Sequence, residues 1–147
     1  MKRIAILLAI FSSIVGCALA PIQSEFARVE RSSSGESIDP NMVRLTIFNS
    51  SGGLSHGLDN TGHLNMKIDG KAVGYIPMKR FVIIDASLGA HNVYLEHLDV
   101  WMMKSNHQIE VSPTAKGIRV FATLVSNNLE FVEELPPDFD RVYQPAE

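Results

Sequence analysis

Leu64-Asn65-Met66-Lys67-Ile68-Asp69-Gly70-Lys71-Ala72-Val73-Gly74-Tyr75-Ile76 is the stretch that decides the fold. Leu64, Met66 and Ile68 alternate with Asn65 and Lys67, the two-residue period of a strand with one buried face. Asp69-Gly70 then breaks the alternation, and Asp-Gly readily adopts the positive φ angles of a two-residue type I′ turn. Lys71 to Ile76 is therefore expected to fold back as the hairpin partner of Leu64 to Ile68, with Asp69 and Gly70 as structural turn residues.

The same reading extends in both directions. Upstream, Val43, Leu45 and Ile47 fall on one side and Arg44 and Thr46 on the other. Downstream, strands are expected over residues 80–85, 91–98, 107–111, 117–125 and 129–134. Turn chemistry separates them at Ser87-Leu88-Gly89, Ser112-Pro113-Thr114 and Ser126-Asn127-Asn128. Gly89 and His91 are assigned to a turn, with His91 closing it through a hydrogen bond. No helix-length amphipathic segment interrupts the series and no fixed-period repeat runs through it. The fold class expected is all-β, a small antiparallel sandwich over residues 42–135, with an acidic tail over residues 136–147 that lies along the surface or frays.

The 147 residues suit one domain, and the apolar content of 46% suits a chain that buries a core. The first twenty residues stand apart. Lys2-Arg3 is a short positive segment, and residues 4–15 form an apolar run too short to span a bilayer as a helix, so the N-terminus reads as a signal peptide. Two cleavage sites compete. Ala18-Leu19-Ala20 has the small-x-small form of ordinary signal peptidase sites, whereas Ile14-Val15-Gly16-Cys17 resembles the lipobox of bacterial lipoproteins. The second is favoured, because Pro21 fits a protease cleft poorly, while Gly16 is the small residue that the lipoprotein enzyme prefers. Cys17 is also the chain's single cysteine, which acylation would account for in an exported protein that can form no internal disulfide.

Residues 1–16 are thus expected to be a lipoprotein signal peptide, and Cys17 the lipidation site that joins the protein to membrane lipid. Several acyl chains, at about 0.8 kcal/mol per buried methylene, would make the attachment effectively permanent. Ala18, by resemblance to the sorting rules of diderm bacteria, points to the outer membrane, facing the periplasm. Residues 17–41 show no sustained period and include Arg31-Ser32-Ser33-Ser34-Gly35-Glu36-Ser37, so they are expected to be a flexible tether. A chain of that length spans about 25 to 30 Å, enough to hold a domain clear of lipid headgroups. A short helix over residues 22–31 is the alternative for part of it.

The formal charge of -3 includes Lys2 and Arg3, so the processed chain would be more acidic, which argues against nucleic acid as a partner. The five histidines raise a metal site, but His91 and His97, on one face of one strand, would stand about 20 Å apart, beyond any shared zinc. No metal and no cofactor are implied. The serines lack a nucleophile-elbow turn, and Asp85, Asp99, Glu133 and Glu134 read as solvated strand-end carboxylates. The glycine-rich segment 49–57 lacks the lysine and helix of a phosphate-binding loop, and the whole loop over residues 49–62 is either functional or without fixed structure. Trp101, Met102 and Met103 have two readings. A lone Trp in a small sandwich commonly closes one end of the core, whereas an exposed Trp and Met cluster would be a partner contact.

Ile68-Asp69-Gly70-Lys71-x-Val73-Gly74, Phe81-Val82-Ile83, Leu88-Gly89-Ala90-His91, Ile109-Glu110-Val111 and Arg119-Val120-Phe121 together resemble a family of small bacterial lipoproteins with a domain of unknown function, the two-eight-four-six type. The order of strand, Asp-Gly hairpin, strand and Gly-x-His turn is also similar to PEGA-type modules, which implies a sandwich like transthyretin or the carboxypeptidase regulatory domain. The resemblance covers residues 43–135, with Leu88 where the family has Pro. It implies fold and envelope location and carries no catalytic residues. The function expected is therefore a non-enzymatic, envelope-anchored binding or structural module with an envelope protein as partner. The competing class is an envelope hydrolase using His56, His63 or carboxylates gathered by folding.

Overall fold

The structure, a computed structural model, describes residues 19–31, 39–52, 62–99 and 101–146. Among the described residues nine strands form two sheets: β1 (Met42–Asn49), β2 (Leu64–Ile68), β3 (Lys71–Ile76), β4 (Arg80–Ser87), β5 (Gly89–Leu98), β6 (Met102–Val111), β7 (Gly117–Ala122), β8 (Asn127–Val132) and β9 (Gln144–Pro145). One sheet has the order β8-β7-β1-β4-β9 and the other β3-β2-β5-β6. The protein is an all-β sandwich. Its core interleaves Leu45, Ile47, Val82, Ile84, Ile118 and Val120 of the first sheet with Leu64, Met66, Val73, Val93, Leu95 and Ile109 of the second.

The Asp-Gly hairpin forms as the sequence predicts. Asp69 and Gly70 have φ of 49° and 80°, the pair of positive angles that a type I′ turn needs. The strands then slip register between Met66 and Lys67, and Gly74, at φ 128°, takes up the irregularity. The sheets are not wholly antiparallel, however. β1 runs parallel to β7, and β4 parallel to β9. β6 begins at Met102, earlier than the alternation suggested, and β7 ends at Ala122, which leaves Leu124 and Val125 outside the ladder.

Two larger departures concern the ends of the chain. Residues 19–31, expected to be part of a free tether, form an extended strap without the alternative helix. Leu19 is buried, and Phe26 packs on the core. The Glu25 N–H donates to the Ala72 carbonyl at 2.8 Å, and the Val29 N–H to that of Ile83 at 3.2 Å. The strap thus passes from the open edge of β3 to that of β4 and satisfies backbone groups that would otherwise invite strand addition. Residues 32–38 of the expected tether lie outside the described residues.

The C-terminal tail, expected to lie along the surface or fray, is folded and packs through Phe139. A one-turn helix, α1 (Phe139–Val142), buries Phe139 against Phe48 and Phe81, with ring centroids 5.3 and 5.2 Å apart. Phe48, Phe81 and Ile83 point away from the shared core, so the first sheet is apolar on both faces and needs this second cover. Arg31, at the end of the strap, pairs with Asp140 and lies over the Phe139 ring at 5.3 Å.

Candidate functional site

Three buried asparagines organise the end of the sandwich at which β2 and β6 begin and β1, β5 and β7 finish. Asn49 donates from Nδ2 to the carbonyls of Gly62 and Ile76, both at 2.8 Å, and its Oδ1 accepts the Ser51 N–H. Ser51 Oγ in turn accepts the Ala122 N–H at 2.8 Å, which fixes the end of β7. Asn127, the first residue of β8, crosses between the sheets: its Oδ1 lies 2.5 Å from His97 Nδ1, and its Nδ2 reaches the Met103 carbonyl at 3.2 Å. Asn65, on the outer face of the second sheet, donates to the Ala20 carbonyl at 2.9 Å and to Glu96 at 3.1 Å, and accepts the Ile22 N–H.

Glu96 shows how polar this outer face is. Burial alone would raise its pKa, but hydrogen bonds from Tyr94 and Asn65, with Lys104 and Lys67 nearby, bring it below the usual value. The Tyr94 hydroxyl, desolvated and bonded to that carboxylate, is pushed up to about 12.

The Asn127 clasp brings two hairpin tips together, one between β5 and β6 and one over residues 123–126 between β7 and β8. The second is closed by the Thr123 N–H on the Ser126 carbonyl at 2.8 Å. Trp101 is 73% exposed, Met102 45%, Leu124 62% and Val125 80%. Exposed turns ordinarily carry Gly, Asn, Asp, Ser or Pro, each for a conformational reason. Here the central positions carry large apolar side chains instead. Phe131, on β8, is the one other large apolar side chain exposed among the described residues. The apolar surface is therefore concentrated at one end.

Trp101 does not close the core, because β5 and β6 are paired up to Leu98 and Met102 and leave it beyond the ladder. Met103, also singled out in the sequence, faces the other way from Met102 and is half-buried beside Asn127. The alternation places Leu124 and Val125 in a strand, whereas the Thr123-to-Ser126 closure makes them the centre of a turn. The buried asparagines carry no pattern that marks them in sequence.

At the opposite end, Asp69 and Gly70 make the β2–β3 turn, while Gly89, at φ 109°, and His91 lie in the first residues of β5 rather than in a turn. Asp69 Oδ1 accepts the Asn92 N–H at 2.8 Å and its Oδ2 meets His91 Nδ1 at 2.6 Å, so the β2–β3 turn is tied to β5. His91 Nε2 lies 2.9 Å from the Ser87 carbonyl, giving both ring nitrogens an acceptor, which favours the imidazolium. Burial pulls the His91 pKa down, but the bonds to Asp69 and Ser87 and the charges of Asp69 and Glu110 carry it above the usual value. Asp69 is held low, first by the Asn92 N–H and then by His91.

The two shifts stabilise the fold in different pH ranges. The raised histidine stabilises the fold fully below its unfolded pKa of 6.5, and that contribution is lost as pH rises through the folded value. The depressed aspartate stabilises above its unfolded 3.8, and its contribution is lost as pH falls through the folded value. Thermal melts of the wild-type chain and of Asp69→Asn at pH 6 and pH 8.5 are expected to differ more at the lower pH, the gap shrinking as His91 loses its proton.

Among the described residues, the groups proposed for hydrolysis do not gather. His63 contacts the Tyr75 hydroxyl at the Trp101 end, and burial lowers its pKa. Asp85 pairs with Arg44 at 2.9 Å towards the other end. Glu133 and Glu134 are exposed after β8. A groove between strap and sheets includes Asp69, Asp85, Lys71 and His91, each already engaged: Lys71 lies 4.2 Å from the centroid of the Phe26 ring. His97 and His107 bond to Asn127 and Ser105. Among the described residues no three His, Cys, Asp or Glu side chains are grouped to hold a metal, and no helix is long and apolar enough to cross a membrane. Cys17 and His56 lie outside the described residues, as does the 53–61 part of the 49–62 loop.

No family model, curated protein or solved structure matches the chain.

Proposed function

We propose that the protein is a lipid-anchored, non-catalytic module of the bacterial cell envelope, held through acylated Cys17 and placed at the outer membrane facing the periplasm, where its sandwich presents a binding surface to an envelope partner. The observation that carries this reading is the packing of Leu19 and Ala20 against the sandwich. Cleavage after Ala20, the competing site, would remove the buried Leu19 and the Ala20 carbonyl that accepts Asn65 Nδ2. Asn65 Nδ2 would keep only its bond to Glu96, and the loss of the other is worth about 1 kcal/mol. Cleavage before Cys17 keeps both residues. The resemblance to small envelope lipoproteins and the single cysteine in a lipobox-like setting support the same cut.

The test is Cys17→Ser in cells fed a fatty acid with a clickable tag. The wild-type chain is expected to take up label and to run as the shorter mature form, while the variant loses all label and stays at precursor size. A wild-type chain recovered from periplasmic fluid, unlabelled and beginning at Pro21, would overturn the proposal.

A further inference from the structure

We infer that the end of the sandwich bearing Trp101, Met102, Leu124 and Val125 is a membrane-contacting surface that rests on the bilayer into which Cys17 is anchored. The inference builds on the lipid-anchor reading above and adds an orientation and a ligand, the phospholipid interface.

The strap supplies the geometry. Ala20 is hydrogen-bonded to Asn65, next to Leu64, where β2 begins. Asn65 is opposite Glu96, two residues before the end of β5 at Leu98. Leu19 and Ala20 therefore lie at the end of the sandwich that carries the Trp101 tip, and Asn127 binds the 123–126 tip to the same place. Only Ala18 separates Leu19 from Cys17, so two Cα steps, about 7.6 Å, are the whole covalent reach between the acylated residue and the packed strap. Such a link cannot hold the domain clear of the headgroups. It keeps this end close to them.

The side chains suit that position. Trp is the residue most at home at the membrane–water interface, and apolar groups on a surface element bury about 5 to 10 Å into the boundary between headgroups and acyl chains. Asp99, two residues before Trp101, puts a polar carboxyl group near the tip and limits the depth to the headgroup region. Lys104 and Lys79, both exposed at this end, are placed to meet lipid phosphates.

Trp101 is the chain's one tryptophan, so its fluorescence reports on this surface alone. The experiment uses the mature lipidated protein, its N-terminal mass verified, in vesicles of phosphatidylethanolamine and phosphatidylglycerol. Emission is expected to shift to the blue, to be quenched by lipids brominated near the headgroup, and to lose about threefold or more of its iodide quenching relative to Leu124→Glu/Val125→Glu, in keeping with an indole at the interface. That double variant changes exposed turn residues, stays attached through its lipid and should melt as the wild type does. If Cys17 carries lipid but Trp101 emits as in water and iodide quenches it fully, the orientation is wrong and the anchor stands. Shielding in native envelopes but not in lipid vesicles would assign the surface to a protein and also overturn it. If Cys17 carries no lipid, the anchor reading fails and this inference fails with it.

Discussion

Phe139→Ala is expected to destabilise the domain by about 3 to 5 kcal/mol, the usual cost of emptying a buried aromatic site. The side chain is 3% exposed and touches Phe48, Phe81 and Tyr143, the last stacked at 4.8 Å. Its removal leaves the outer face of β1 and β4 without cover and takes the platform from under Arg31. In thermal melts the shift should be about 10 to 20 °C downward. A tail that merely lay on the surface would predict almost no change, so the measurement separates the two descriptions. Limited proteolysis should cut the variant near residue 139 well before the wild type.

Asn49→Ala is the second large loss, at about 3 kcal/mol or more. The amide is fully buried and serves Gly62, Ile76 and Ser51 at once, and each buried polar group left without a partner costs about 1 to 3 kcal/mol. Because Ser51 passes the constraint on to the Ala122 N–H, the effect should spread to the end of β7. Hydrogen exchange at Ala122 is expected to quicken in the variant by more than the global loss of stability explains. Equal acceleration at every slow amide would show that Asn49 acts only on overall stability.

Alternation and turn chemistry were enough to read most of the sandwich. β2 and β3 stand where Leu64 to Ile76 placed them, since a buried face and an Asp-Gly turn fix register locally. What escaped was long-range or two-sided. Phe48 and Phe81 break alternation because the first sheet is covered twice, and that cover comes from Val29 upstream and from residues more than fifty positions downstream. The strap has no period because it pairs through backbone groups with β3 and β4, which any sequence of suitable size can do. The tail did hold a clue, an i, i+4 pair of Phe139 and Tyr143 on one turn of helix. At the candidate surface, Trp101 and Met102 were visible as residues, but their exposure depended on where β6 begins, and strand ends are poorly marked.

The strap has a bearing on the order of events in the life of the chain. Arg28 donates to the Ala146 carbonyl at 2.8 Å, a contact spanning 118 residues, and Val29 waits on β4. A polypeptide that emerges N-terminus first thus presents residues 19–31 long before their docking places exist, and such distant closures come late in folding. Because its partners Ala72, Ile83 and Ala146 all lie downstream, the strap can dock in full only once the chain has been made as far as Ala146.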